Sequence, residues 1–254
     1  MEEYDLVIVI FACYTKAKYK NEINILNQTW VKKCENYKNI KVIYFLGEQK
    51  VAEFINTEFI TYINLKGVGD DYFSATYKQF LGLKYVKENY NARFIISLGT
   101  DTYLNIPKLL LFIKPFDSND NLYIGGHGCE REICSRKYYF HSGAAGFIIT
   151  SGCLLKLYNI LPTLIDNWVN LCNINNIQYL IPCCDVAIAY YLQQPDINST
   201  IIKTNDLSFL TCNYQGYPCH ANKVDMTKII ACHNMSPSDF INFTNILITN
   251  NFFV

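Results

Sequence analysis

The first half of the chain alternates unbroken apolar runs with amphipathic stretches. Leu6–Cys13 is a continuous run rich in Val and Ile, the mark of a strand buried on both faces. Asn21–Cys34 sets Ile23, Leu26, Trp30 and Val31 near one face at helical spacing. Lys41–Leu46 predicts a second strand, ended by Gly47, and Phe59–Leu65 a third. Tyr72–Tyr90 predicts a long amphipathic helix whose turns are marked by Tyr77, Phe80, Leu81, Lys84 and Tyr85. Phe94–Leu98 predicts another buried strand, and Pro107 opens a short helix through Phe112, as proline does in a first helical turn. Strands and helices in alternation predict a mostly parallel central sheet flanked by helices, an α/β fold.

The pattern changes after Leu122. Tyr123–Gly128 predicts a short strand, Gly128–Tyr138 a polar loop, and Phe147–Thr150 a strand that follows a Gly-Ala-rich turn. Helices are expected over Cys153–Leu171 and about Asp185–Gln193, short strands at Thr200–Lys203 and Lys228–Cys232, and a last helix near Ser238–Thr249. No repeat, linker or low-complexity tract divides the sequence, so residues 1–254 read as one domain. Its two halves are about 5–105 and about 106–254.

Composition narrows the class. Half of the 254 residues are hydrophobic, enough for a sizeable core. Net charge is zero and no basic stripe stands out, which argues against a nucleic-acid partner. The longest apolar runs, such as Leu6–Ala12 and Leu109–Ile113, fall well short of the ~20 residues of a membrane helix, so no transmembrane segment is expected. The chain opens with acidic residues where a secretory signal has basic ones. A cytoplasmic location, or a chain trimmed from a longer precursor, is therefore expected, and the Asn-x-Ser/Thr triplets at Asn27, Asn198, Asn234 and Asn242 read as chance. Eleven cysteines are mostly buried thiols on that reading. In an oxidising compartment Cys129 with Cys134, and Cys212 with Cys219, could each close a small disulfide loop. Cys129, Cys134 and His127, or Cys212, Cys219 and His220, form possible zinc sets without a second pair at finger-like spacing.

The strongest chemical signal lies at 95–105, where an apolar run ends in a single acidic residue, Asp101. Ligands in open α/β sheets bind at the carboxyl ends of strands. A carboxylate there commonly holds a hard divalent cation, which in turn holds phosphate. An Asp at a strand end also serves as a turn or helix cap.

Several segments, in order, resemble the fringe and β-1,3-galactosyl/N-acetylglucosaminyltransferase family. Asn27-Gln28-Thr29-Trp30 is similar to an early Thr-Trp signature. Asp70-Asp71-Tyr72, with Tyr77-Lys78 and Gly82-Leu83-Lys84-Tyr85-Val86, resembles the helix before the family's metal motif. Gly99-Thr100-Asp101 stands at its Asp-x-Asp motif, and Ser142-Gly143-Ala144-Ala145-Gly146-Phe147 at its Gly-rich acceptor-side loop. Cys184-Asp185-Val186 stands at an acidic pair followed by a small apolar residue. The resemblance spans roughly residues 5–240.

This resemblance implies a GT-A fold, a nucleotide-sugar-binding sandwich with a nucleotide-binding first half and an acceptor-side second half. It implies a UDP-sugar donor, Mn²⁺ (or Mg²⁺), and inverting transfer of galactose, N-acetylglucosamine or glucose to a hydroxyl of a glycan or glycoprotein, giving a β-linkage of the β-1,3 kind. Asp101 would be the direct metal ligand and His233, in Ala231-Cys232-His233-Asn234, a second one; carboxylate and imidazole both suit Mn²⁺. Asp185 would be the base that takes the acceptor proton, a role compatible with a first-turn helix Asp. Asp70 or Asp71 would bind ribose or uracil, or cap the helix near Tyr72. Lys78 would face the diphosphate or lie solvated on its helix. Gly99 and Thr100 would border the donor. Gly143, Ala144, Ala145 and Gly146 would let backbone approach a sugar closely, or form a tight turn.

The sequence also departs from the pattern. Gly99 replaces the first acidic residue of Asp-x-Asp, Cys184 replaces the acidic residue before the base, and Ile23 and Asn27 stand where arginines usually precede Thr-Trp. Each change removes charge that could grip a donor. The alternative is a catalytically inactive glycosyltransferase-like protein that binds glycans. A cytoplasmic form would have to glycosylate a soluble or virus-associated acceptor, and an abundance of Asn, Ile, Lys and Tyr fits an AT-rich genome such as that of a large DNA virus or a protist.

Overall fold

The computed structural model describes residues 2–48, 55–126, 128–143, 145–204, 207–218, 220 and 224–250. The expected alternation opens the chain. Strand β1 (Glu2–Phe11) leads to helix α1 (Ala17–Gln28), and a short helix α2 (Trp30–Lys33) precedes β2 (Ile40–Leu46) and β3 (Ile60–Asn64). Helix α3 (Ala75–Asn89), β4 (Tyr90–Leu98), the two-residue β5 (Tyr103–Leu104) and α4 (Ile106–Ile113) follow. The predicted helix 21–34 is interrupted at Thr29, whose hydroxyl donates back to the Ile25 carbonyl at 2.7 Å, a bond that competes with the helical ladder. Helix α3 starts three residues later than expected. Asp71 Oδ1 first accepts from the Ser74 N–H and hydroxyl, both at 2.9 Å, and closes a turn of its own.

Beyond β6 (Leu122–Gly125) the expected polar loop is instead a hairpin of β7 (Gly128–Ile133) and β8 (Arg136–His141). Cys134 and Ser135 form its two-residue turn, both at positive φ (51° and 61°), the backbone sense that suits the twist of a hairpin. Cys129 faces Phe140 near the other end of the same strand. The hairpin therefore holds Cys129 and Cys134 a strand's length apart, and both are free thiols. Cys212 is also a free thiol, while its proposed partner Cys219, like His127, lies outside the described residues. No group of three metal-type side chains exists among the described residues, which leaves the zinc sets without support there.

Strand β9 (Phe147–Thr150) leads to α5 (Ser151–Tyr158) and α6 (Leu161–Ile174). The spacing predicts one helix over this stretch, but Pro162 sits in the first turn of α6, where it has no N–H to continue a ladder from α5. Helix α7 (Cys184–Leu192), β10 (Thr200–Lys203), β11 (Phe209–Leu210), β12 (Ala231–Cys232) and α8 (Pro237–Thr249) complete the chain. Ser236 and Asp239 form a reciprocal capping box at the start of α8.

Seven strands make the main sheet in the order β10-β6-β9-β4-β1-β2-β3, parallel except for β9, which runs antiparallel to β4 and β6. Leu6, Ile8 and Ile10 of β1 pack toward α1, α2, α4 and α8, while Val7 and Val9 pack toward α3, α5, α6 and α7. Helices thus cover both faces, and the central strands read as continuous apolar runs for that reason. A small sheet, β11-β12-β5, sits beside the carboxyl end of β4. Among the described residues, no helix is long and apolar enough to cross a membrane.

Candidate active site

A cleft of about 470 Å³ opens at the carboxyl ends of β1 and β4. Ala12 and Cys13 after β1, Gly99–Asp101 after β4, and Asp185 at the start of α7 border it. Ligands of open α/β sheets bind in this position.

Asp101 and His233 converge on one wall. The small sheet brings them together. Strand β12 pairs antiparallel with β5, matching Cys232 to Tyr103, so the residue after β12 lies beside the turn before β5. His233 Nε2 lies 3.1 Å from Asp101 Oδ1. Burial pushes the Asp101 carboxyl up, but the hydrogen bond and charge of His233 outweigh burial and hold it below the usual range. The turn is fastened on both sides. Thr100 donates its hydroxyl to Glu22 on α1, Trp30 Nε1 donates to the Thr102 carbonyl at 3.1 Å, and the Met235 N–H donates to the Asp101 carbonyl at 3.1 Å. Gly99 lines the cleft with room for a side chain, since an added Cβ would meet nothing nearer than Asp101 Oδ1 at 3.4 Å.

One carboxylate and one imidazole at a single point fit a divalent cation of the manganese or magnesium type. Such an ion in nucleotide sites is usually held by one or two side chains, with phosphate oxygens and water completing its shell. Two protein ligands therefore suffice if a diphosphate supplies the rest.

Asp185, in the first turn of α7, lines the same cleft. Its Oδ2 accepts the Gly143 N–H at 3.0 Å and its Oδ1 accepts the Val186 N–H at 2.9 Å. Burial raises its pKa; the two backbone donors and the charge of Arg131 oppose that without cancelling it. Strand β8 runs directly into Ser142 and Gly143, and buried His141 anchors the junction through Nδ1 to the Gly126 carbonyl at 2.9 Å. An added Cβ on Gly143 would stand 3.0 Å from the Asp185 Cβ, so the missing side chain lets the carboxylate approach. Gly146 turns the loop back at φ +81°, and Ala145 is buried. Ala144 lies outside the described residues.

Asp70 and Lys78 form an internal ion pair, and of the two Lys78 also lines the cleft. Lys78 Nζ donates to Asp70 Oδ1 at 2.8 Å and to the Ala12 carbonyl at 2.6 Å. Asp70 also accepts the N–H groups of Tyr14, Thr15 and Gly47 at 2.6, 2.8 and 3.1 Å. The two side chains are 5% and 2% exposed. Burial pushes the Asp70 carboxyl up, but the Lys78 ammonium and the backbone donors prevail and hold it well below the usual range. This pair ties α3 to the loop after β1, and Lys78 borders the cleft there. Asp71 lines the cleft itself.

The structure adds Glu22, Arg131 and the cleft-lining Tyr19 to the residues the sequence points to, and puts Tyr72 of the Asp-Asp-Tyr motif in the cleft as well. Arg131 falls in the stretch expected to be a loop, and no periodic pattern flags Tyr19. Trp30 stands in the sequence as a helix-face residue and as part of a signature, and its bond to Thr102 gives it a physical task.

The fold is similar to that of three solved glycosyltransferases. One is a glycosyltransferase involved in glycosylating the major capsid of PBCV-1, at TM-score 0.55 and 14% identity over 94% of this chain and 98% of that one. GlyE of Streptococcus pneumoniae TIGR4 is similar at TM-score 0.57 and 11% identity over 99% of this chain and 64% of that one. The galactosyltransferase LgtC, crystallised with donor and acceptor sugar analogues, is similar at TM-score 0.52 and 12% identity over 94% and 95%. The fold is the GT-A fold. No curated protein matches the sequence significantly. The family model described as Fringe-like matches residues 4–193, and the chain belongs to that family of glycosyltransferases.

Proposed function

We propose that the protein is a metal-dependent inverting glycosyltransferase that moves galactose, N-acetylglucosamine or glucose from a UDP-sugar to a hydroxyl of a glycan or glycoprotein, with a β-1,3 linkage. The observation that carries this reading is Asp185, a carboxylate with a raised pKa, lining the same cleft as the Asp101–His233 pair. In an inverting displacement the acceptor oxygen attacks the anomeric carbon from the face opposite the leaving group. Asp185 takes the acceptor proton as the new C–O bond forms, and the bond from the anomeric carbon to the UDP oxygen breaks with its electron pair on UDP. A carboxylate with a raised pKa is a stronger base than an ordinary one. Asp101 and His233 would hold the divalent cation, which would offset the charge gathering on the diphosphate. Gly143 holds Asp185 in place and leaves space for a sugar.

Two departures favour a second reading, a glycan-binding protein without transfer activity. Gly99 leaves one carboxylate at the metal motif, and Cys184, buried, supplies no charge beside Asp185. Calorimetric titration of UDP, with Mn²⁺ and then with EDTA, separates the readings. Binding that needs Mn²⁺ and disappears in Asp101→Ala supports the transferase. Glycan binding with no nucleotide binding in either buffer supports the second reading. Free thiols at the described cysteines fit a reducing compartment, the cytoplasm, as the place of reaction.

A further inference from the structure

With Gly99 in the first position of the motif, Asp101 stands alone, and whatever orients it gains weight. The residue before it is held by an unusual partner. Glu22 is 4% exposed, and glutamate is seldom so deeply buried without a partner. Its Oε2 accepts the Thr100 hydroxyl. Its Oε1 has Lys18 at 3.7 Å, but that ammonium sits largely in solvent and holds it weakly. A second cavity of about 290 Å³ shares Asp101 and Lys18 with the main cleft and has Glu22 in its wall. The far side of the turn is already fixed by Trp30 at Thr102. The Thr100 hydroxyl is thus the side-chain anchor on the near side, because Gly99 has no side chain with which to provide one.

We propose that Glu22 is a positioning residue for Asp101: by accepting the Thr100 hydroxyl it fixes the turn so that the Asp101 carboxylate meets His233 at the cleft. The functional weight of this inference rests on reading Asp101 as a donor-site ligand, but its geometry can be tested without metal, donor or acceptor.

The protein has four histidines, so ring signals in a carbon-proton NMR spectrum are few, and His233→Gln assigns those of His233. Asp101→Asn marks where they move when the partner loses its charge. Glu22→Ala and Thr100→Val are expected to shift the His233 signals away from the wild-type position, and the double variant no further than either single one. Glu22→Gln keeps a carbonyl oxygen for the Thr100 hydroxyl and is expected to leave the signals in place, as is Thr100→Ser. In a parallel Mn²⁺ titration followed by electron paramagnetic resonance, Glu22→Ala and Thr100→Val should weaken binding about tenfold or more, the usual effect of removing a support behind a metal ligand. A folded Thr100→Val protein with unmoved His233 signals overturns the proposal, and so does Glu22→Gln behaving like Glu22→Ala. Absence of Mn²⁺ binding in the wild type would instead sink the metal-dependent reading, while the NMR comparison still decides the role of Glu22.

Discussion

Asp101 and Asp185 line the same cleft, and their surroundings drive them in opposite directions. His233 holds Asp101 ionised, whereas burial makes Asp185 retain its proton longer. Environments that separate two titratable groups in this way assign different chemical tasks to them. If Asp185 is the base, activity needs its ionised form. Transfer should then fall as pH drops through a pKa above the ordinary Asp value of about 3.9. Arg131 lowers that pKa by its charge, so Arg131→Ala should move the acid limb of the kcat/KM profile to higher pH; an unmoved limb would dismiss Asp185 or its coupling to Arg131. The same physics gives Asp70 a structural signature. Its folded pKa lies below the unfolded one, so its stabilisation is complete above about pH 4 and fades as pH falls toward the folded value. Asp70→Asn would leave Lys78 buried without its counter-charge. The expected loss is about 3–5 kcal/mol in chemical denaturation, with much of it recovered by adding Lys78→Met. A loss below about 1 kcal/mol would place the pair with ordinary exposed ion pairs.

At the scale of elements, the Gly143 loop and α7 act as one device. Gly143→Ala would press a methyl group against Asp185. A misplacement of about 1 Å can cost a hundredfold in rate, and the few tenths of an ångström needed here should cost about tenfold in kcat. The thermal midpoint should hardly change, and an unaltered kcat in a folded variant would remove Gly143 from the site. The sequence made this loop visible through its small residues, but not the hairpin that feeds it. Strand β7 is exposed over most of its length and β8 at Arg136 and Lys137, so no regular alternation of apolar and polar residues marks them. Their turn takes positive φ at Cys134 and Ser135, where Asn or Gly would have announced it. Arg131 went unnoticed for the same reason. The split between α5 and α6 was legible at Pro162, but helical spacing continues across it and masked the break.

The architecture of the whole molecule was the most legible level, because buried parallel strands must be apolar throughout and leave runs such as Leu6–Phe11 in plain view. Contacts across the fold were legible only where a recognised motif pointed to them. The pairing of β12 with β5 sets His233 beside Asp101 across more than half of the chain, and Glu22 reaches Thr100 from a different helix. No local pattern encodes either contact. That convergence also makes the last prediction one about the entire fold. The cleft joins residues after β1 and β4 to the start of α7, so a donor that fits it binds the folded chain and not the unfolded one. At a concentration one hundred times its dissociation constant, such a ligand adds about 2.7 kcal/mol to stability. For a chain of this size that corresponds to a rise in melting temperature of about 5–10 °C. In a panel of nucleotides with Mn²⁺, UDP should give the largest rise, and Asp101→Ala should remove the part that depends on the metal. A larger rise with GDP or another nucleotide would keep the transferase and change its donor. No rise with any nucleotide, in a protein that still melts cooperatively, would mean that the loss of the first acidic residue at Gly99 has closed the donor site, and would leave a glycosyltransferase fold used to bind glycans.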